Sequence, residues 1–400
     1  MRALVMERSV PRFAAARAAS WWRPGAGGRV GALSLADIDP PDLPAPGWRR
    51  LTPRLAGICG SDLATVDGRS SRWFEPIVSF PFVPGHEVVG DLEDGRRVVV
   101  EPVLGCAARG ISPPCPACSA GDARRCRCLD GGHIAPGLQT GFCADTGGGW
   151  SPSLVVHESQ VHDVPADMTD EEAVMVEPTA CAVHGALAAS VPGATAVVIG
   201  AGTLGLCATA ALARFGSVAG GLLVAAKYPH QRTLARQLGA TVAVEPAQLA
   251  RAVRRASGGW MRTGGQLAGG ADVVVDCVGS AGSLSSALAV ARPGATVVML
   301  GMPGTVSVDL TPLWQREIRL VGAYTYGPEA AGDGRHSFEL AFELVKTADL
   351  GRLVSAAYPL ERYAEAIEHA ADAGRRGAVK VAFDLRPPRR RPRTPEARNA

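Results

Sequence analysis

Apolar and polar positions follow two different textures along the chain. Through residues 1–170 the apolar runs are short, as at Arg97–Val103, and Pro and Gly interrupt them repeatedly. That pattern predicts a β-rich region with irregular loops and few long helices. From about residue 171 to 325 short apolar runs alternate with Ala/Leu-rich stretches. Thr195–Ile199, Gly221–Ala226, Thr241–Val244, Ala271–Asp276 and Ala295–Leu300 read as strands, with helices at Thr203–Phe215 and Arg232–Leu238 between them. Such alternation predicts a doubly wound parallel sheet. Past Tyr326, helices are expected near Ser337–Lys346 and Leu360–Ala371, then a strand at Val379–Asp384. Gly258–Gly270 reads as a surface loop, and the Pro/Arg-rich tail Pro387–Ala400 as disordered. The uncharged run Gly185–Ala213 is long enough to span a bilayer. Pro192 and its glycines make strand, turn and helix the better reading, so no membrane span is expected.

Composition narrows the classes. The chain has 400 residues, 47% hydrophobic and 20% charged, which suits two soluble domains and excludes disorder as the main state. The net charge of +3 is uneven, because Arg386–Ala400 holds six arginines against one glutamate. The remaining body is close to neutral, which disfavours a nucleic-acid partner. Met1–Glu7 is too short for a signal peptide, and Phe13–Arg23 is only faintly like a transit peptide. A cytoplasmic location is therefore expected. Of ten cysteines, five (Cys106, Cys115, Cys118, Cys126, Cys128) fall within 23 residues. In a reducing compartment, clustered cysteines are more often metal ligands than disulfides.

Gly200-Ala201-Gly202-Thr203-Leu204-Gly205 follows an apolar strand and opens a helix. Gly200 permits the tight turn, Gly202 lets the backbone approach a pyrophosphate, and Gly205 allows close helix–strand packing. The phosphates then lie at a helix N-terminus, beside Thr203 and Leu204, where unpaired N–H groups favour negative charge. Where NAD-binding chains carry an acidic residue after the second strand, this chain has Ala226-Lys227-Tyr228-Pro229-His230-Gln231-Arg232. No carboxylate opposes a 2′-phosphate there, and Lys227, His230 or Arg232 could pair with one, which favours NADP over NAD.

Cys59 in Gly57-Ile58-Cys59-Gly60-Ser61-Asp62 and His86 in Gly85-His86-Glu87 supply zinc-type ligands beside glycines. A third ligand is open between Glu87 and Glu177, the latter in Val176-Glu177-Pro178. With GICGSD, GHEVVG, the CPAC-centred lobe, VEP, GAGTLG, DCVG at 276–279 and Trp314–Gly322, the chain resembles the zinc-dependent medium-chain alcohol/polyol dehydrogenases over roughly residues 30–384. The resemblance implies an α/β plus β fold. A GroES-like β-rich catalytic domain (1–178, with a structural-zinc lobe at 104–130) would be interrupted by a Rossmann domain (179–325) and completed by 326–385. Residues 386–400 would form a basic tail. It further implies Cys59, His86 and a glutamate on a catalytic zinc, with Asp62 orienting His86. Zinc would polarise an alcohol oxygen while hydride passes to the nicotinamide.

The family's lobe pattern is C-x2-C-x2-C-x7-C. Cys115, Cys118 and Cys126 match its last three positions, and Ser112 stands at the first. Cys106 is the expected fourth ligand, with Cys128 as the alternative. Ser61 resembles the first hydroxyl of the family's proton relay, but Ala64 stands where many relatives place a histidine. Trp73, Phe74 and Trp150 are candidate pocket residues. A small-molecule alcohol or carbonyl substrate is expected, polyol or sugar-like by Glu177, in a homodimer or homotetramer. Competing readings are a zinc-free reductase, a zinc-binding nucleic-acid-associated protein and a non-catalytic NADPH-binding regulator. The intact ligand types at Cys59 and His86 disfavour the first and last, and the near-neutral body disfavours the second.

Overall fold

The computed structural model describes residues 1–387 apart from 190, 192, 217, 264 and 265. The tail expected to be disordered lies outside the described residues beyond Pro387. The chain opens with β1 (Arg2–Met6), α1 (Val10–Trp22), α2 (Gly27–Val30) and β2 (Leu33–Asp37). Then come β3 (Trp48–Gly57), α3 (Gly60–Val66), β4 (Val88–Leu92), β5 (Arg97–Val100), α4 (Pro116–Ser119), β6 (Leu154–His157) and β7 (Val161–Asp163). Helices α5 (Asp170–Ala173) and α6 (Val176–Ala188) lead into β8 (Ala196–Ile199), α7 (Thr203–Phe215), β9 (Leu222–Ala225), α8 (Pro229–Gln237), β10 (Val242–Val244) and α9 (Leu249–Ser257). After the short strands β11 (Trp260–Met261) and β12 (Leu267–Ala268) follow β13 (Ala271–Asp276), α10 (Ala281–Val290), β14 (Ala291–Met299), α11 (Thr311–Gln315) and β15 (Arg319–Gly322). The last elements are α12 (Ser337–Thr347), β16 (Val354–Tyr358), α13 (Tyr363–Ala371) and β17 (Lys380–Asp384).

Two sheets carry the architecture. Six strands in the order β10-β9-β8-β13-β14-β15 form a wholly parallel sheet. Val197, Val198, Val224, Val274, Val275, Val297 and Val298 have no exposed surface. Helices cover both faces, so these strands read as continuous apolar runs rather than alternating ones. The second sheet runs β16-β17-β3-β4-β5-β7, with β6 also on β3. Its strand β17 returns from the far end of the chain and pairs antiparallel with β3, Ala382 opposite Gly57. The parallel sheet is thus an insertion within the chain that builds the other. No helix among the described residues is long and apolar enough to cross a membrane.

Two local expectations are corrected. Val10–Trp22 is a 13-residue helix inside the region read as β-rich, and only Ala16 and Ser20 of it are buried. With so narrow a buried face it has little hydrophobic periodicity. Its cause is the Ala-rich composition and the proline in its first turn. Within Gly258–Gly270, β11 and β12 pair as a short antiparallel ribbon where a plain loop was expected.

Residues 104–137 contain little regular structure and hold together by polar contacts. The fully buried guanidinium of Arg109 donates to the carbonyls of Leu104 (3.0 Å), Gly131 (2.9 Å), Ile134 (3.4 Å) and Gly137. Its pKa is lowered by burial, which the thiols around it only partly offset. Replacing Arg109 by Met would leave these carbonyls without donors. We expect a loss of about 3 kcal/mol or more, read as a lower urea midpoint; an unchanged midpoint would remove Arg109 from the lobe's framework.

Candidate active site

A cavity of ≈ 1810 Å³ lies between the two sheets, and Cys59, Ser61, His86, Glu87, Glu177, Gly202, Thr203, Leu204 and Gly205 all line it. Residues up to 146 positions apart in sequence therefore share one cleft. Cys59 is the N-cap of α3, and its backbone N–H donates to Asp62 Oδ2 at 3.0 Å. The other oxygen of Asp62 faces His86 Nδ1 at 3.4 Å, and both atoms are buried without a hydrogen-bond partner. The imidazole also interacts with the Cys59 thiol. A carboxylate facing one ring nitrogen, with a thiol among the ring's partners, suits an oriented metal ligand. Burial lowers the pKa of His86, but Asp62 and then Cys59 outweigh it, so the net shift is upward. Gly85, at φ +98°, is required here, because a Cβ would lie 2.4 Å from the Trp150 ring. Trp150 itself is fully buried against Phe383 and donates to Gly57 O, so it is core rather than a pocket residue. Trp73 and Phe74 do line the cavity.

The two glutamates differ in their partners. Glu87 forms a buried ion pair with Lys380, whose ammonium also donates to Ile58 O at 3.3 Å. Glu177, in the first turn of α6, receives only neutral donors, Tyr326 Oη at 2.9 Å and the Cys181 thiol at 3.8 Å. Burial, together with the charge of Glu87, raises the Glu177 pKa to about 7. A carboxylate with no ion-pair partner among the described residues suits a metal better than one already neutralised by lysine. Neither Lys380 nor Tyr326 was among the expected site residues. The only signal for Lys380 was a lysine inside an apolar strand in a chain with three lysines.

The glycine-rich turn has the expected shape. Gly200 adopts φ +94°, a Cβ on Gly205 would lie 2.0 Å from Gly200 O, and Gly202 faces open space. Asp276 ties the neighbouring turn through the N–H groups of Val278 (2.9 Å) and Gly279 (3.2 Å). Beyond β9, Arg232 donates to the carbonyls of Ala226 and Lys227 at 3.0 Å each and pairs with Glu245 at 3.2 Å. Its donors thus brace the loop, whereas Lys227 is exposed with its ammonium 5.5 Å over the Tyr228 ring, and His230 Nε2 is buried without a hydrogen-bond partner.

In the cysteine lobe the sulfurs of Cys106, Cys115, Cys126 and Cys128 lie within 4.8 Å of one another. Backbone N–H groups select a different four. Cys106 Sγ accepts from Cys115 N, Cys118 Sγ from Cys106 N and Cys126 Sγ from Cys128 N, each at 3.4 Å. Cys115 Sγ accepts from the N–H groups of Cys118 and Arg127, which lower its pKa to about 6. Such donors stabilise thiolates around a metal. Proximity therefore includes Cys128, and hydrogen bonding includes Cys118.

Comparison with known proteins gives two family matches, "Alcohol dehydrogenase GroES-like domain" over residues 45–166 and "Zinc-binding dehydrogenase" over 203–347. A protein of Agrobacterium fabrum assigned as a D-xylulose reductase is 29% identical over 357 residues, 86% of this chain and 94% of that one. One of Arthroderma otae, assigned as D-xylulose reductase A, is 31% identical over 309 residues, 74% of this chain and 79% of its own. A crystal structure assigned as a zinc-binding dehydrogenase of Sinorhizobium meliloti 1021, bound to NADP, superposes with a TM-score of 0.68 at 25% identity, covering 90% and 97% of the two chains.

Two substitutions test these geometries. Cys118→Ser should lose one zinc equivalent by elemental analysis, while Cys128→Ser keeps it; the reverse would favour proximity over hydrogen bonding as the guide. Glu87→Gln should destabilise the fold by about 3–5 kcal/mol by leaving Lys380 buried and unpaired. A denaturant midpoint equal to wild type would mean the pair carries no such weight.

Proposed function

The chain belongs to the zinc-dependent medium-chain dehydrogenase family, and on that premise we propose that it interconverts an alcohol and its carbonyl compound with NADP in preference to NAD. It is an oxidoreductase acting on CH–OH donors. The observation that carries the reading is the meeting of Cys59, His86 and Glu177 with the Gly200–Gly205 turn in one cleft.

Each residue has a distinct part. Cys59, His86 and Glu177 would hold the catalytic ion, and Cys106, Cys115, Cys118 and Cys126 a structural one. When bound, zinc supplies a Lewis acid for the substrate oxygen and the nicotinamide an acceptor for hydride. Asp62 keeps His86 in one orientation. Gly200, Gly202, Thr203, Leu204 and Gly205 leave backbone N–H groups for the pyrophosphate, with residues 179–325 as the cofactor domain. Ser61 takes the proton leaving the substrate hydroxyl. Ala64 has no group to receive it, so the proton continues through water in the open cleft. Lys227, with His230, meets the 2′-phosphate, and Arg232 shapes that loop from behind. The relatives assigned as D-xylulose reductases support a polyhydroxylated substrate, and the NADP-bound structure supports NADP. A homodimer or homotetramer is part of the proposal, supported by exposed Trp314 and Leu310 just before the edge strand β15. Ten free thiols support a cytoplasmic location.

Fluorescence titration should show NADPH binding more tightly than NADH. Lys227→Ala should weaken NADPH about tenfold or more, the value of a charge-assisted contact, with NADH little changed. Tighter binding of NADH by the wild type would withdraw the NADP assignment. Cys59→Ala should abolish turnover while NADPH still binds; turnover at the wild-type rate would refute the catalytic metal site.

A further inference from the structure

We infer that Glu101, His162 and His336 form a further metal site, separate from the catalytic cleft and the cysteine lobe, that takes a divalent transition ion of the zinc type. Bound there, the ion ties β5 and β7 of the second sheet to the head of α12. The site stands whether or not the protein is a dehydrogenase.

One ligand atom from each of the three residues lies within 4.8 Å of the others. His162 Nε2 is 2.8 Å from Glu101 Oε2, and His336 Nε2 is 3.7 Å from Glu101 Oε1. A zinc ion bound at about 2.1 Å in tetrahedral geometry holds its ligand atoms about 3.4 Å apart, so small turns of the side chains close this set on an ion. Two imidazoles with one carboxylate suit zinc and its transition-metal neighbours, whereas magnesium and calcium take oxygen ligands. The side chains are 27%, 12% and 24% exposed in the order His162, Glu101, His336, so an ion from solvent can reach them. None of the three lines the catalytic cavity.

Rigid elements present the ligands. His162 stands opposite Val99 in the β5–β7 ladder, and Glu101, two residues beyond Val99, faces the same side. Glu101 N donates to Gln160 O at 2.7 Å, and the buried Gln160 Nε2 donates to Glu101 O at 3.3 Å. His336 caps α12 and bridges to Pro328, which closes the turn at 328–336. The neighbouring cation Arg335 is paired with Glu343 at 3.2 Å and Glu339 at 3.6 Å, which offsets its repulsion of an ion. A ring ligating through Nε2 carries its proton on Nδ1, so binding gives up the 3.3 Å bond that His336 Nδ1 accepts from Phe338 N. One long neutral hydrogen bond is a small loss against a metal–imidazole bond.

The site reaches the catalytic centre through packing. His162 stacks on Phe338 at 4.5 Å and 13°, and Phe338 meets Tyr326 edge-on at 4.9 Å and 87°. Tyr326 in turn donates to Glu177 at 2.9 Å. An ion on the two histidines therefore steadies the ring behind the tyrosine that positions Glu177.

The test counts zinc by elemental analysis of the full-length protein after equilibrium dialysis against low-micromolar Zn²⁺. Wild type should hold one equivalent more than His162→Phe or His336→Asn. Phenylalanine keeps a ring on Phe338, and asparagine keeps a cap on α12, so both variants should fold, as circular dichroism checks. The same difference of one equivalent is expected in a Cys59→Ala background, so that loss of the catalytic ion is not mistaken for loss of this one. Once the lobe is loaded, further Zn²⁺ should raise the thermal midpoint of Cys59→Ala but not of Cys59→Ala with His162→Phe. Equal zinc counts in wild type and both variants, or a difference that vanishes in the Cys59→Ala background, overturn the inference.

Discussion

The buried pair between Glu87 and Lys380 is the contact on which the rest of the active site depends. Both side chains are almost entirely removed from solvent. Neither charge could stay there alone, because the cost of desolvation is several kcal/mol per ion. The pair also joins residues 293 positions apart, one just before β4 and the other in β17. It therefore holds the returning C-terminal strand against the loop that carries His86. Ile58 O accepts from the same ammonium, which brings the segment before Cys59 into the same anchor. With Glu87 committed to the lysine, Glu177 is left as the carboxylate whose charge a metal can neutralise.

A similar use of buried polarity organises the cysteine lobe. The segment has little apolar core, so Arg109 and the thiol cluster supply the cohesion that packing supplies elsewhere. Its attachment to the cleft is also polar. Arg124 meets His184 of α6 at 2.8 Å, His184 meets Glu329 at 2.9 Å, and Ser337 donates to Glu329 at 2.5 Å. Since α6 carries Glu177 in its first turn, the lobe braces the helix that presents the third candidate ligand. Burial opposes the charge of Glu329, but His184, Ser337 and Arg124 outweigh it and hold its carboxyl below the usual range.

Much of the fold was legible in the pattern of residues. Strands β8, β9 and β13 fall within a residue or two of their expected spans, because strands buried on both faces must be apolar throughout. Helix α7 begins and ends where expected, since Gly202 opens it and Gly216 follows it. Helix α1 was not legible. Its stability comes from alanine propensity, and its placement from backbone N–H groups that reach an aspartate more than forty residues away. Arg232 shows the opposite error. Its type and position suit a phosphate, but its donors go to nearby carbonyls and Glu245.

By itself the sequence determined the chemistry on offer: a thiol, an imidazole and two carboxylates, a dinucleotide turn, and a thiol-rich lobe. These are legible because each depends on residue types at short spacing. Tertiary structure decided how the groups are shared. It set Lys380 on Glu87, Tyr326 on Glu177, and backbone N–H groups on four of the five lobe sulfurs. The physical reason is that a charge or polar atom taken out of water must find a partner. That partner comes from whichever distant segment the fold brings within hydrogen-bond reach.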